Sequence, residues 1–184
     1  MKNWLPIEIK LDFSFKPKKK KVSLRKTETF HKKRRHIPKV VRSRIDDHEI
    51  VYGARALNKR FPRHLETYTE DYDIFTPYPK RDANETERAL DKHFGGDYFF
   101  VTPARHPNTF RVKSHVDGSV AADYTKPDGK IPYDKIDGIK YVKLSYVKKT
   151  ANKTLEDPFS SYRHDKDRDV VNRIKVFEKK KRGR

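Results

Sequence analysis

The chain has 184 residues, of which 39% are charged and 34% hydrophobic; the formal net charge is +19 and there is no cysteine. That length suits one domain with appendages. The absence of cysteine excludes disulfides and thiolate metal sites and fits an intracellular setting. No apolar run has the length of a membrane helix, and Leu11–Phe15 is too short and too polar to serve as a signal-peptide core.

The charge is unevenly placed. Residues 1–42 hold 15 Lys/Arg against 3 Asp/Glu, residues 175–184 hold 6 against 1, and the stretch between is close to neutral. The expected organisation is therefore a basic N-terminal arm over 1–42 with one docked strand, a domain over 43–174, and a basic tail over 175–184. Cationic ends of this kind read as polyanion-binding arms, with nucleic acid, RNA or DNA, as the partner. The candidate contacts are Lys18, Lys19, Lys20, Lys21, Lys32, Lys33, Arg34 and Arg35 at one end and Lys179, Lys180, Lys181 and Arg182 at the other. The alternative for the same residues is a solvated, solubilising tail.

In chain order, Ile7–Phe15 alternates apolar and polar residues with the period of a half-buried strand. A basic run over Lys16–Lys21 and a polar stretch to Lys39 follow. Val40–His48 is expected as a short helix turning Val40, Val41 and Ile45 inward. Ile50–Tyr52 reads as a strand ending at Gly53, Ala54–Arg60 as a helix closed by Pro62, and Asp71–Phe75 as a strand. Asp82 is placed as the cap of a helix to His93, paired with Glu85, with Ala83, Thr86, Leu90 and His93 or Phe94 as its buried stripe. Gly95-Gly96 ends that helix. Strands are expected over Asp97–Val101, Thr109–Val112 and Val120–Tyr124, with Asp117-Gly118 as a hairpin turn and Lys126–Gly129 as a further turn. Ile139–Tyr146 reads as strand-like, Val147–Leu155 as a helix broken by Asp157-Pro158, and Ser161–Phe177 as a last helix. This order is that of an α+β domain: a mixed sheet flanked by helices, with basic arms. Tyr98, Phe99, Phe100, Phe110 and Tyr124 are expected in the core. The eight histidines show no ligand spacing, so no zinc site is expected.

Three stretches carry chemistry. Val51–Asn58 gives a tight turn opening a helix, where Gly53 admits a backbone approach that a side chain would block and first-turn amides can face phosphate. Thr69–Phe75 places Asp71 and Asp73 one residue apart, on one face of a strand. Val120–Tyr124 supplies a third carboxylate, Asp123, preferred over Asp117 because it lies on a strand. Clustered carboxylates repel one another unless a divalent cation sits among them.

At these residues the chain resembles the minimal nucleotidyltransferases of the DNA polymerase beta superfamily, and within it the small viral, plasmid and toxin-type members. The resemblance covers about residues 50–174. It implies that Asp71, Asp73 and Asp123 are catalytic, that Asp71 and Asp73 hold two Mg²⁺ or Mn²⁺ ions, and that Asp123 completes the second ion's site and helps to deprotonate the acceptor hydroxyl. It further implies nucleotide binding by Gly53, Ala54, Arg55 and Asn58, with an NTP, ATP among them, as substrate. Ala54 departs from the pattern, since many members have a phosphate-binding Ser there. The segment Leu155–Pro158 and Tyr162–Val170 resembles the Lys- and Asp-bearing C-terminal helix of toxin-type members, which assigns Arg163 and Lys166, and less directly Lys148, Lys149 and Lys153, to the phosphates. The implied reaction moves a nucleoside monophosphate from the NTP to a hydroxyl, on a nucleic-acid end or on a protein, and releases pyrophosphate. The expected setting is cytoplasmic, or a host-cell interior or virion for a viral member. The alternative is a non-catalytic nucleic-acid-binding or particle-associated protein that keeps the fold.

Overall fold

The computed structural model describes residues 23–182. The expected strand over Ile7–Phe15 and the lysines at 18–21 lie outside the described residues. The elements are α1 (Leu24–Lys33), α2 (Ile37–Arg42), β1 (Ile50–Tyr52), α3 (Gly53–Asn58), β2 (Tyr72–Phe75), α4 (Pro79–Phe94), β3 (Phe99–Pro103), β4 (Thr109–Ser114), β5 (Val120–Thr125), β6 (Tyr133–Ile136), β7 (Ile139–Val142), α5 (Leu144–Glu156) and α6 (His164–Arg182). The strands form one seven-stranded sheet in the order β3-β4-β5-β2-β1-β7-β6. Its pairings are antiparallel except β2 with β5 and β1 with β7. No helix among the described residues is long and apolar enough to cross a membrane.

Strand alternation divides the sheet into two unlike faces. One presents Val51, Tyr72, Ile74, Val112, Ala122 and Tyr124, all buried, against Phe30 of α1, Ile37 and Val41 of α2, and Ala83, Leu90 and Phe94 of α4. Complete burial of a side chain such as Ile74 or Leu90 contributes about 1.5–3 kcal/mol. The other face presents Tyr52, Asp73, Phe75, Arg111, Asp123 and Thr125. A second apolar cluster, Leu57 and Phe61 with Ala151, Val170, Val171 and Ile174, fastens α5 and α6 to α3.

Helix α4 forms where its sequence period indicates: Ala83, Thr86, Leu90 and Phe94 are its buried residues. It stops at Gly95, whose φ of +84° is the left-handed conformation glycine adopts without strain. Its start differs from the expectation. Pro79 occupies the first turn, which moves Asp82 from a cap to a buried position inside the helix. The polar stretch before Lys39 is helical: α1 carries a single deep anchor, Phe30, whose ring lies 5.7 Å from Phe94 and 6.2 Å from Phe99. Its lysines face carbonyls. Lys33 Nζ donates to His93 O at 2.9 Å and to Phe94 O at 3.3 Å, and Lys26 Nζ donates to Asp97 O at 2.9 Å. Lys33 thus caps the C-terminus of α4, where the helix dipole is negative, and Lys26 reaches the loop just beyond it. The short helix expected over Val40–His48 lies earlier, at Ile37–Arg42, with Val41 buried and Val40 and Ile45 packed against the core.

Two further differences arise in the second half. Strand β6 has no counterpart in the sequence reading: it pairs with β7 through a turn in which Asp137 and Gly138 both have positive φ, 48° and 80°, the conformation of a tight hairpin turn. Helix α5 starts at Leu144 instead of Val147, and a 3₁₀ turn over Pro158–Arg163 precedes α6. In the β4–β5 hairpin a bulge between Val112 and Lys113 shifts the register, and beyond it Arg111 stands opposite Asp123.

Candidate active site on the polar face of the sheet

The site grows out of β2 and its neighbours. Asp73 is opposite Tyr52 of β1 on one side and in register with Asp123 of the parallel β5 on the other. Asp71 is a bend residue just before β2, and its charge acts on both Asp73 and Arg111. Thr69 donates its hydroxyl to Asp71 Oδ1 at 2.5 Å. Burial pushes the Asp73 carboxyl up to about 7, helped by repulsion from Asp71 and then Asp123, while Lys166 and Arg111 oppose the rise. Burial, then repulsion from Asp73 and Asp123, also raises Tyr52.

Gly53 closes one wall. Its φ is +65°, and a methyl group added there would stand 2.9 Å from Asp73 Cγ and closer still to its Oδ2. The position thus excludes every other residue twice, by backbone conformation and by the carboxylate against it. Helix α3 begins at this glycine with no side-chain cap. The rest of the floor is aromatic and hydroxylic. The rings of Tyr52 and Phe75 stack at 3.9 Å, and Thr125 Oγ1 lies 3.0 Å from both Tyr52 OH and Thr109 Oγ1.

Arg111 is the residue that sequence reasoning missed. Its Nε donates to Asp123 Oδ1 at 2.7 Å and its Nη2 to Asp123 Oδ2 at 2.6 Å. The hydrogen bond to Asp123, opposed in part by burial, and the charges of Asp123, Asp71 and Asp73 raise its pKa. A signal existed: hairpin pairing about Asp117-Gly118 brings the 111 region opposite the 123 region. The bulge fixes the register within that region, and no residue pattern announced it.

The remaining candidates separate. The charge of Lys166 acts on Asp73 and, more weakly, that of Arg163 on Tyr52, while the Arg163 guanidinium pairs with Asp167 at 3.5 Å. Arg55 is turned elsewhere: Nε donates to Asp71 O at 2.7 Å, Nη2 donates to Glu70 O at 2.9 Å and Thr69 O at 3.2 Å, and the guanidinium lies over the Tyr72 ring at 4.1 Å. Asn58 exchanges two hydrogen bonds with the Thr67 backbone, at 2.6 and 3.0 Å. Both therefore position the segment that delivers Asp71. Lys148 pairs with Glu178 at 2.6 Å. Among the basic residues assigned to nucleic acid, Lys32, Arg35 and Lys179 are exposed. Lys33 caps α4, Arg34 pairs with Glu70 and Asp117, and Lys180 lies 2.9 Å from His64 Nε2. Lys181 and Arg182 end α6.

A second titratable cluster sits at the far end of β2. His48, Glu49 and Asp82 each offer a ligand atom, all within 4.8 Å of one another, and could hold a metal ion. No such grouping is expected from histidine spacing alone, because 33 residues or more separate Asp82 from the other two. Burial pushes the Glu49 carboxyl up to about 7, although the Asp46 N–H donates to it at 2.7 Å. Asp82 behaves oppositely. Burial would raise it, but hydrogen bonds from Thr76, Arg81 and His48 hold it below the usual carboxylate range. Arg81 Nε reaches Asp82 Oδ1 at 2.8 Å, and His48 Nε2 lies 3.0 Å from Asp82 Oδ2.

Against solved structures, the chain is similar to the Megavirus polyadenylate synthase, with a TM-score of 0.66 and 22% identity over 81% of this chain. The fold is nucleotidyltransferase-like. The chain spans 33% of the length of that viral enzyme. An alignment with JHP933 from Helicobacter pylori covers 73% of this chain and 58% of that one at 14% identity, but its TM-score of 0.36 carries no argument. No protein-family model and no curated protein sequence matches the chain.

Proposed function

We propose that this protein is a metal-dependent nucleotidyltransferase that moves a nucleoside monophosphate from an NTP to a hydroxyl on a nucleic-acid end. The observation that carries this reading is the joint placement of Gly53, Asp71, Asp73 and Asp123: a glycine forced by a carboxylate, opening a helix beside three carboxylates whose charges meet at Asp73. The donor set fits a divalent cation. It is all oxygen, and burial with mutual repulsion has raised Asp73 to about 7, which an added positive charge would relieve. Asp71 and Asp73 are the residues that would hold Mg²⁺ or Mn²⁺. When bound, the ion supplies charge neutralisation on the transferring phosphoryl group and lowers the cost of ionising the acceptor hydroxyl.

This chain's residues then supply position and proton. The turn at Gly53-Ala54 offers backbone amides to the triphosphate. Lys166 of α6 is the cation assigned to it, with Arg163 beside it once its pairing with Asp167 is released, and Arg55, Asn58 and Lys148 are engaged elsewhere. The hydroxyl oxygen bonds to the α-phosphorus, the bond to the β-phosphate oxygen breaks, and pyrophosphate leaves. The hydroxyl proton passes to a floor carboxylate, Asp123 in the arrangement that the family resemblance implies. The basic ends, with exposed Lys32, Arg35 and Lys179, hold the polyanionic acceptor. Because the Megavirus neighbour is a polyadenylate synthase, ATP is the first NTP to test. The test incubates the protein with each labelled triphosphate, Mg²⁺ or Mn²⁺, and mixed tRNA. Transfer that is absent, or that survives Asp71→Ala and Asp73→Ala, would sink the reading.

One observation favours a second reading, a nucleic-acid-binding protein without catalysis: Arg111 occupies both oxygens of Asp123. Nucleic-acid binding that is unaffected by replacing the three aspartates, but lost on removing residues 1–22 with Lys32→Ala and Arg35→Ala, and with no transfer, would establish it. Deletion through residue 42 is unsuitable, because it removes Phe30, Ile37 and Val41 from the core.

A further inference from the structure

Asp123 differs from the other two site carboxylates in already having a cation. Arg111 and Asp123 are cross-strand partners in the β4–β5 ladder, so both backbones hold the pair together on the polar face. The two hydrogen bonds, at 2.7 and 2.6 Å, engage one carboxylate oxygen each, the fork-to-fork geometry that gives arginine its preference for carboxylates. The Asp123 side chain is 13% exposed and that of Arg111 36% exposed, so solvent screens the pair only in part. A guanidinium does not deprotonate near neutral pH. To coordinate a divalent ion, Asp123 would have to surrender at least one of these hydrogen bonds and admit a second positive charge beside a permanent one.

The charges balance without that. Three ionised carboxylates at Asp71, Asp73 and Asp123 carry three negative charges. Arg111 neutralises one by direct contact and Lys166 acts on Asp73 through space, so a single divalent ion more than neutralises what remains. We infer that Arg111 is a built-in cation of this site, occupying Asp123 in place of a second metal, so that the protein binds one divalent ion, on Asp71 and Asp73. This rests on the reading of Asp71 and Asp73 as metal ligands given above. It also assigns Arg111 a place in the reaction: a fixed positive charge on the floor, one strand beyond Asp123.

The test is a Mn²⁺ titration of the full chain in a Glu49→Gln background, so that the His48, Glu49 and Asp82 grouping adds no ion to the count, followed by loss of the free-ion electron paramagnetic resonance signal, with folding checked by circular dichroism. One ion per chain is expected for this parent, and none, or at least a hundredfold weaker binding, for Asp71→Asn with Asp73→Asn. Arg111→Gln should expose Asp123 and bring the count to two. The double variant Arg111→Gln with Asp123→Asn keeps local charge and shape, does not depend on the single variant folding, and should retain one ion with affinity within threefold of the parent. Two ions on the parent would overturn the inference while leaving the nucleotidyltransferase reading standing, as would a tenfold or greater loss in the double variant. No ion on the parent, or one ion that survives loss of Asp71 and Asp73, would overturn both.

Discussion

Two aspartates sit at opposite ends of strand β2, Asp82 against Thr76 and Asp73 beside Asp123, and they solve the problem of burial in opposite ways. At the Thr76 end, Asp82 is buried but supplied with donors from Thr76, Arg81 and His48, and its pKa is held down. At the Asp73 end the carboxylates face one another, and Asp73 is pushed up to about 7. A buried carboxylate with enough donors is part of the framework; one whose neighbours are other carboxylates stores repulsion that a cation can release. The difference separates what keeps the chain folded from what it offers to a ligand, although both clusters use the same residue types within a few residues of one strand.

Substitutions can break that contrast. The largest effect is expected from Asp73→Asn, which should lower nucleotidyl transfer by at least about a thousandfold, the several kcal/mol that a metal site supplies. The same change should leave the melting temperature unchanged or higher, because a repelling charge is removed. Loss of folding alongside transfer would refute the division of labour.

Glu49 gives the next effect, with a sign fixed by its raised pKa of about 7 against the ordinary 4.5. Between those values the folded chain binds the extra proton, so stability falls as pH rises from about 4.5 to 7 and stays lower above. Glu49→Gln should therefore stabilise the protein by about 3 kcal/mol at pH 8 and have little effect below pH 4. Urea titrations at the two pH values measure it, and an equal effect at both would refute the assignment.

Asp82→Ala should cost about 2–3 kcal/mol by stripping partners from Thr76, His48 and Arg81, with kcat reduced no more than a few-fold at a temperature where the variant is folded. Gly53→Ala costs about 1–2 kcal/mol for the left-handed backbone alone, with the collision against the Asp73 carboxylate added to it. It should still impair transfer strongly, because its methyl group displaces the Asp73 carboxylate.

Much of the framework was legible. The period of α4, the glycine that stops it, and the strand–turn–helix at Gly53 follow from local rules, and so does the nearness of Asp71 to Asp73. What escaped depended on distant partners. Strand β6 was missed because Tyr133, Asp134 and Lys135 are exposed at a sheet edge and show no apolar alternation, although Asp137-Gly138 was a usable turn signal. Asp82 was misread as a cap because Pro79 starts the helix earlier, leaving its carboxylate to point inward at Thr76. The family resemblance assigns Arg55 and Asn58 to the nucleotide. Only the fold shows their side chains bound to the backbone at 67–71. The His48 cluster and the Arg111 pair both join residues that no periodicity relates.

The bulge between Val112 and Lys113 has a practical corollary for engineering. It separates the hairpin tip around Asp117-Gly118 from the rungs that seat Arg111 against Asp123, so changes in tip length can be absorbed before they reach the floor. A short epitope or fluorophore-accepting peptide inserted between Gly118 and Ser119 is thus a tolerable reporter position.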